Sequence, residues 1–225
     1  MKQHGFTSRG NNFYKRHPEG NIGIINFQRN REGLPKFTIN LGIYSVVLER
    51  YLLAEFNQKK VKEYPLLGDY HWDTRIGSLV PREHPARQKD EFWQKIGDKW
   101  WEYDDTTDVD QLFNELKQLI VAFGIPEIDK YITDEQLKKL WFSRTSAGAG
   151  GPDSFKYLCI LFKYYGEKEQ LSIVLNDFGK FMQSHPELTG LKKHYDRFMN
   201  EASNKRGLFE EEASATHNQS KKMKP

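Results

Sequence analysis

A chain of 225 residues and 26.5 kDa, with 14% aromatic residues and a mean hydropathy of −0.78, has material for one good core, or a core plus a helical appendage, under a densely charged surface. Its 34 basic residues nearly balance 31 acidic ones, leaving a net charge of +3, so the one-sided excess of a dedicated nucleic-acid binder is missing. Cys159 is the one cysteine, which excludes an intrachain disulfide and favours a reducing, cytoplasmic setting; no apolar run reaches the ~20 residues of a membrane span, and Met1 to Arg9 do not resemble a secretory signal.

The pattern predicts a strand over Asn12 to Arg16, ended by the turn His17-Pro18-Glu19-Gly20. A second strand runs from Asn21 to Gln28 and a third from Lys36 to Tyr44, joined by a polar hairpin loop over Asn30 to Pro35. On the third, Phe37, Ile39, Leu41 and Ile43 share one face, and Thr38, Asn40, Gly42 and Tyr44 the other. Pairing Asn26 with Asn40 sets Phe27 opposite Ile39, Ile25 opposite Leu41 and Gln28 opposite Thr38. A two-residue slip keeps each face's character, whereas a one-residue slip would mix the two faces. One face then packs, and the other presents amides and hydroxyls. Asn is depleted in strands because its side chain competes for the backbone, so two of them at mid-strand suggest a face with a role.

Val46 to Phe56 reads as a short amphipathic helix with Val47, Tyr51 and Ala54 spaced along it, ended by the Lys-rich segment Gln58 to Lys62. A fourth strand is predicted over His71 to Leu79, a charged loop over Pro81 to Gln88, and a short fifth strand over Trp100 to Tyr103. Thr107 then caps a helix with Val109, Leu112, Phe113, Leu116 and Ile120 on one face, ending near Gly124. Ile125-Pro126 begins a connector, and Asp134 to Phe142 is another helix. Beyond a small-residue linker, Ser143 to Asp153, the pattern is purely helical, with stripes at Phe155, Leu158, Cys159 and Phe162, at Leu171, Val174, Leu175 and Phe178, and at Leu188, Leu191, Tyr195 and Phe198. Gly166 breaks the first of these helices, and the later two have the spacing of an antiparallel hairpin. The fold class is therefore α+β. An antiparallel sheet of about four to five strands, with helices packed on one face, occupies residues 1–142, and the α-helical extension occupies 154–203. From Asn204 to Pro225 apolar anchors are almost absent, the composition of a disordered tail.

The run Gly5-Phe6, Asn12-Phe13-Tyr14, Ile25-Asn26-Phe27-Gln28, Phe37 to Tyr44, Arg75-Ile76-Gly77 and Trp100-Trp101 resembles the bacterial family DUF4304, a domain of unknown function, over roughly Met1 to Phe142. The resemblance implies a small α+β domain and brings no assigned activity. Members usually begin with a helix ahead of the Gly-Phe pair, which is here either shortened or begins further upstream. The helices after Gly151 look like an extension that some members carry.

Several groups can carry function. The amide face offers Asn26, Gln28, Thr38 and Asn40, with Tyr44, Arg75 and Trp101 beside them, as a shallow polar platform of paired donors and acceptors with an Arg fork. The plain alternatives are a solvated sheet face or a buried ladder that satisfies itself, with Arg75 in a structural ion pair. Asp104-Asp105-Thr106-Thr107-Asp108 has D-D-x-x-D spacing, but it falls at a strand-to-helix junction where its acids serve the helix N-terminus better than a metal. The seven histidines fall in no metal-ligand spacing, and His71 with Asp73 is the one pair worth testing as an acid/base couple. Cys159 belongs to a core stripe, and Gly148-Ala149-Gly150-Gly151 lacks the Lys and Ser/Thr of a phosphate loop. Trp100 and Trp101 point to opposite faces, so one enters the core. No cofactor and no metal is implied.

These readings favour a non-enzymatic binding or accessory protein that engages a protein partner through the polar sheet face. One alternative is a hydrolase or transferase acting on a phosphorylated or nucleotide substrate, with Arg75 on the anion and His71 or Asp73 as base. Another is nucleic-acid binding through the basic arm of Lys2, Arg9, Lys15, Arg16, Arg29, Arg31 and Lys36. The sequence implies no membrane partner and leaves the oligomeric state open.

Overall fold

Alternation of apolar and polar residues produces the sheet that the pattern demands. The computed structural model describes residues 1–55, 57, 60–143 and 151–203; the tail from 204 and residues 144–150 of the expected linker lie outside these. The chain divides into two units, residues 1–150 and 151–225. In the first, six strands form one antiparallel sheet: β1 (Phe6–Arg9), β2 (Asn12–Arg16), β3 (Ile22–Arg29), β4 (Lys36–Tyr44), β5 (Trp72–Arg75) and β6 (Trp101–Glu102). The order is β1-β2-β3-β4-β5, with β6 also paired to β4. The β3–β4 register places Asn26 opposite Asn40, Phe27 opposite Ile39 and Gln28 opposite Thr38, as the alternation requires.

Helix α1 (Val46–Glu55) starts where Ser45 Oγ accepts the Leu48 N–H at 3.2 Å. The strand expected to run to Leu79 ends instead at Arg75, and one turn of helix, α2 (Ile76–Leu79), follows. Two contacts impose this change: Ser78 Oγ donates to the Arg75 carbonyl at 2.7 Å, and Gly77 lies so close to Lys99 that a Cβ would stand 2.5 Å from its backbone nitrogen. The segment expected to be a loop from Pro81 contains α3 (Pro85–Gln88), and α4 (Glu91–Ile96) follows, capped by Asp90 and closed by Gly97 at φ +74°. Helix α5 (Val109–Leu119) is capped by Asp108, whose carboxylate accepts the Gln111 N–H; Thr107, the expected cap, bonds to Asp104 instead. A π-helical turn over Ile120–Gly124 leads into α6 (Ile125–Tyr131), so Ile125-Pro126 continues the helical path rather than opening a connector. Pro126 is tolerated because it sits in the first turn of α6. Helix α7 (Asp134–Ser143) completes the unit.

Helix α6 packs directly on the apolar face, because Gly23 leaves room for it. A Cβ at Gly23 would lie 2.3 Å from Ile128 Cγ2. The opposite face is covered at one end as well. Tyr14, Ile22, Ile24 and Tyr44 form a buried cluster there with Val46, Val61, Tyr64 and Tyr70 against it, and a Cβ at Gly42 would strike the Tyr70 ring.

The second unit holds α8 (Asp153–Tyr164), α9 (Lys168–Ser184) and α10 (Thr189–Ser203). Its core is the expected stripes: Phe155 stacks on Phe178 at 5.3 Å, and Phe178 meets Tyr195 edge-on at 5.3 Å. Gly166 ends the α8 path with φ +73°. Among the described residues no helix is long and apolar enough to cross a membrane.

Candidate functional site

The amide row lies across the sheet and is closed on itself. Asn26 Nδ2 donates to Asn12 Oδ1 at 2.8 Å, and Asn40 Nδ2 donates to Asn26 Oδ1 at 3.1 Å and Gln28 Oε1 at 2.9 Å. Asn26 is 9% exposed, Asn40 5% and Thr38 0%, and Thr38 Oγ1 donates to the Lys99 carbonyl. The row is thus a buried ladder that satisfies itself, the plain alternative to a shallow platform. Tyr44 is fully buried; its hydroxyl accepts the Lys62 N–H, and burial first, then the nearby Glu49 charge, pushes its pKa well up. Arg75 forms an ion pair with Asp98. Trp101 turns to the apolar face, in register with Phe37, and donates from Nε1 to Glu115 at 2.8 Å. Trp100 is the tryptophan on the polar side, with the Arg75 and Lys36 cations 5.3 and 5.9 Å from its ring centre.

His71 and Asp73 are differently placed, the one buried and the other exposed. His71 is buried, its Nδ1 accepts the Ser45 N–H at 3.0 Å, and its Nε2 lies 3.9 Å from Glu49. Burial raises the Glu49 pKa, against the lowering effect of the Tyr44 hydroxyl and Lys62. Asp73 keeps an exposed side chain, yet desolvation around its carboxyl raises its pKa and Arg75 opposes this. The acids of the D-D-x-x-D segment do not converge either. Asp104 accepts from the Thr106 N–H and hydroxyl and from the Thr107 hydroxyl, while Asp108 caps α5. Those bonds, the Thr106 hydroxyl first, hold Asp104 below the usual carboxylate range. Cys159 is buried in α8, and burial pushes its thiol pKa up. No group of three or more His, Cys, Asp or Glu is placed to hold a metal among the described residues.

The open site is on the other face. Phe13 of β2, Phe27 of β3 and Phe37 of β4 stand on the side of the sheet that carries Ile25, Ile39 and Leu41, near one end of the strands. Their rings touch in sequence, Phe13 to Phe27 at 5.8 Å and Phe27 to Phe37 at 6.0 Å, and Phe37 continues onto Trp101 at 5.7 Å. Helix α5 forms the facing wall with Val109, Leu112, Phe113 and Leu116, an i, i+3, i+4, i+7 stripe. That stripe is seated only at its C-terminal end. Leu116, Leu119 and Ile120 are buried, whereas Val109 is 55% and Phe113 63% exposed. Between the first turns of α5 and the phenylalanine floor lies a groove of about 510 Å³, within the ~300–1,000 Å³ of small-ligand sites. Its rim carries Arg29 on the strand side and Tyr103, Asp104 and Thr107 on the helix side. None of His71, Asp73 and Arg75 lines it.

Of the groove residues the sequence singled out Arg29, in the basic arm, and Asp104 and Thr107, in the D-D-x-x-D segment, but drew none of the aromatic floor or the α5 wall into a site. The available signal was three phenylalanines on one face at the ends of neighbouring strands, opposite a helix whose first turn is as apolar as its last.

A family model described as a domain of unknown function (DUF4304) matches residues 1–130, and every residue lining the groove falls inside that span. No curated protein matches the chain, and no solved structure does.

Proposed function

The chain belongs to the DUF4304 family, whose description assigns no activity, and from that premise we propose a non-catalytic binding protein that takes an apolar guest into the groove beneath α5. One observation carries this reading: an aromatic floor and an apolar helix stripe face one another with space between them. Leaving a large apolar side chain such as Phe113 out of the core forgoes about 1.5–3 kcal/mol, and clustered exposure of this kind around a cavity is the signature of a binding surface. The enzyme reading has less support, since His71 is engaged by Ser45 and Glu49 and Arg75 by Asp98. The nucleic-acid reading has less still. The basic arm divides between the two faces, with Lys15 and Arg29 on one and Arg9, Arg16 and Lys36 on the other. The single buried cysteine suits a reducing compartment, and a cytoplasmic location is part of the proposal.

The test is a calorimetric titration of the full chain with 1-decanol, a neutral apolar probe. Saturable one-to-one uptake is expected, weakened at least about tenfold by Phe113→Asp, which places a charge in the apolar wall. Phe113 is mostly exposed, so the variant keeps its fold. Absence of uptake, or uptake indifferent to Phe113→Asp, overturns the reading.

A protein partner has its own supporting observation in Trp100, a partly exposed ring beside Arg75 and Lys36, the composition of an interface hot spot. A complex purified from the native host that is lost with Trp100→Ala but kept with Phe113→Asp would assign that role to the polar face.

A further inference from the structure

We infer that the guest is a single-chain acidic amphiphile, of the medium-chain carboxylic acid class, with its carboxylate on Arg29 and its chain along the phenylalanine floor toward Leu116. This rests on the groove reading and adds the chemistry of the guest to it.

Strand parity brings Arg29 to the groove. Ile25, Phe27 and Arg29 alternate onto the same face of β3, so the guanidinium follows directly on the aromatic floor at the mouth of the groove. Arg29 lies opposite Phe37 in the register, which places it beside the floor rather than beyond it. Besides Gly10 and Asn11 of the β1–β2 turn, the remaining lining is phenylalanine, leucine and valine, so the charged groups lie at the rim.

The two charges of the rim are in different conditions. Asp104 sits on the turn before α5 and is held to it: its Oδ1 accepts from the Thr106 N–H at 2.8 Å, the Thr106 hydroxyl at 2.7 Å and the Thr107 hydroxyl at 3.2 Å. Arg29 has no carboxylate at ion-pair distance among the described residues, whereas Lys15 pairs with Asp129, Arg75 with Asp98 and Lys99 with Asp90. The groove therefore offers an unoccupied cationic fork at one end of an apolar channel. A planar guanidinium fits a carboxylate in a two-point fork. An apolar body supplies affinity by burial, and the charged head fixes which end enters.

Depth sets the orientation. Leu116 is buried at the inner end and Arg29 is exposed at the outer end, so the head stays at the water boundary and no charge has to be fully desolvated.

The experiment titrates the full chain with decanoate, 1-decanol and decyltrimethylammonium at one pH, the two ionic probes below their micelle concentrations and 1-decanol below its solubility limit, in wild type, Arg29→Gln and Phe113→Asp. Decanoate is expected to bind about tenfold more tightly than 1-decanol, and the cationic probe more weakly than either. Arg29→Gln should erase the decanoate advantage and leave 1-decanol within about twofold. Equal affinity for decanoate and 1-decanol in wild type, or a decanoate advantage that survives Arg29→Gln, overturns the head-group assignment and leaves the groove standing. Binding of none of the probes, or binding unaffected by Phe113→Asp, overturns both.

Discussion

Asn40 satisfies two acceptors with one amide, and this explains why carboxamides occupy the middle of a sheet that prefers branched carbon. Each oxygen in the row would be buried without a donor if its neighbour were truncated, and a buried unsatisfied group costs about 1–3 kcal/mol. The row therefore belongs to stability and to register. Glu49 is a different case, a carboxylate drawn into the protein between Tyr44 and His71. Burial raises its pKa in the folded state, with Tyr44 and Lys62 offsetting part of this and Asp69 adding to it. A raised folded value means that Glu49 favours the fold most below the unfolded value near 4.3, and that this contribution is lost as pH rises through the folded value. Glu49→Gln should accordingly show a smaller fall in urea midpoint between about pH 4 and pH 7 than wild type. A larger fall in the variant would mean that the neighbouring partners outweigh burial.

The same stripe of α5 is core at one end and open wall at the other, a distinction that periodicity cannot make. Leu116 is 4% exposed and Phe113 63%, so Leu116→Ala should cost about 2–5 kcal/mol and Phe113→Ala under about 1 kcal/mol, read from urea unfolding. Equal losses would mean that α5 lies flat on the sheet and the groove closes in solution. Strands β2, β3 and β4 were legible to the residue or nearly so; the alternation fixed which face each side chain takes and left a two-residue slip open, which the Asn26–Asn40 pairing closes. What stayed hidden depended on distant partners. Gly77 against Lys99 ends β5 early, and Phe6-Thr7-Ser8-Arg9, with a single apolar residue, becomes an edge strand by pairing with β2. Trp101 enters the core because β6 pairs with β4 in a register that only the folded sheet reveals. For the candidate site, the sequence showed the amide row and its partners but not their burial. It showed the stripe of α5 but not that its first turns stay exposed while Leu116 is buried.

The division of the chain into two units places the groove wholly within the first, since its lining runs from Gly10 to Leu116. The second unit has its own aromatic core, in which Phe178 is fully buried between Phe155 and Tyr195. A Phe178→Ala change opens a cavity worth about 3–5 kcal/mol, confined to packing that shares no residue with the groove. Substitutions without shared partners act independently to within a few tenths of a kcal/mol. Phe178→Ala should therefore lower the thermal stability of the helical unit while the decanoate affinity, measured well below the transition, stays within about twofold of wild type. Affinity that falls together with helical stability would overturn this independence.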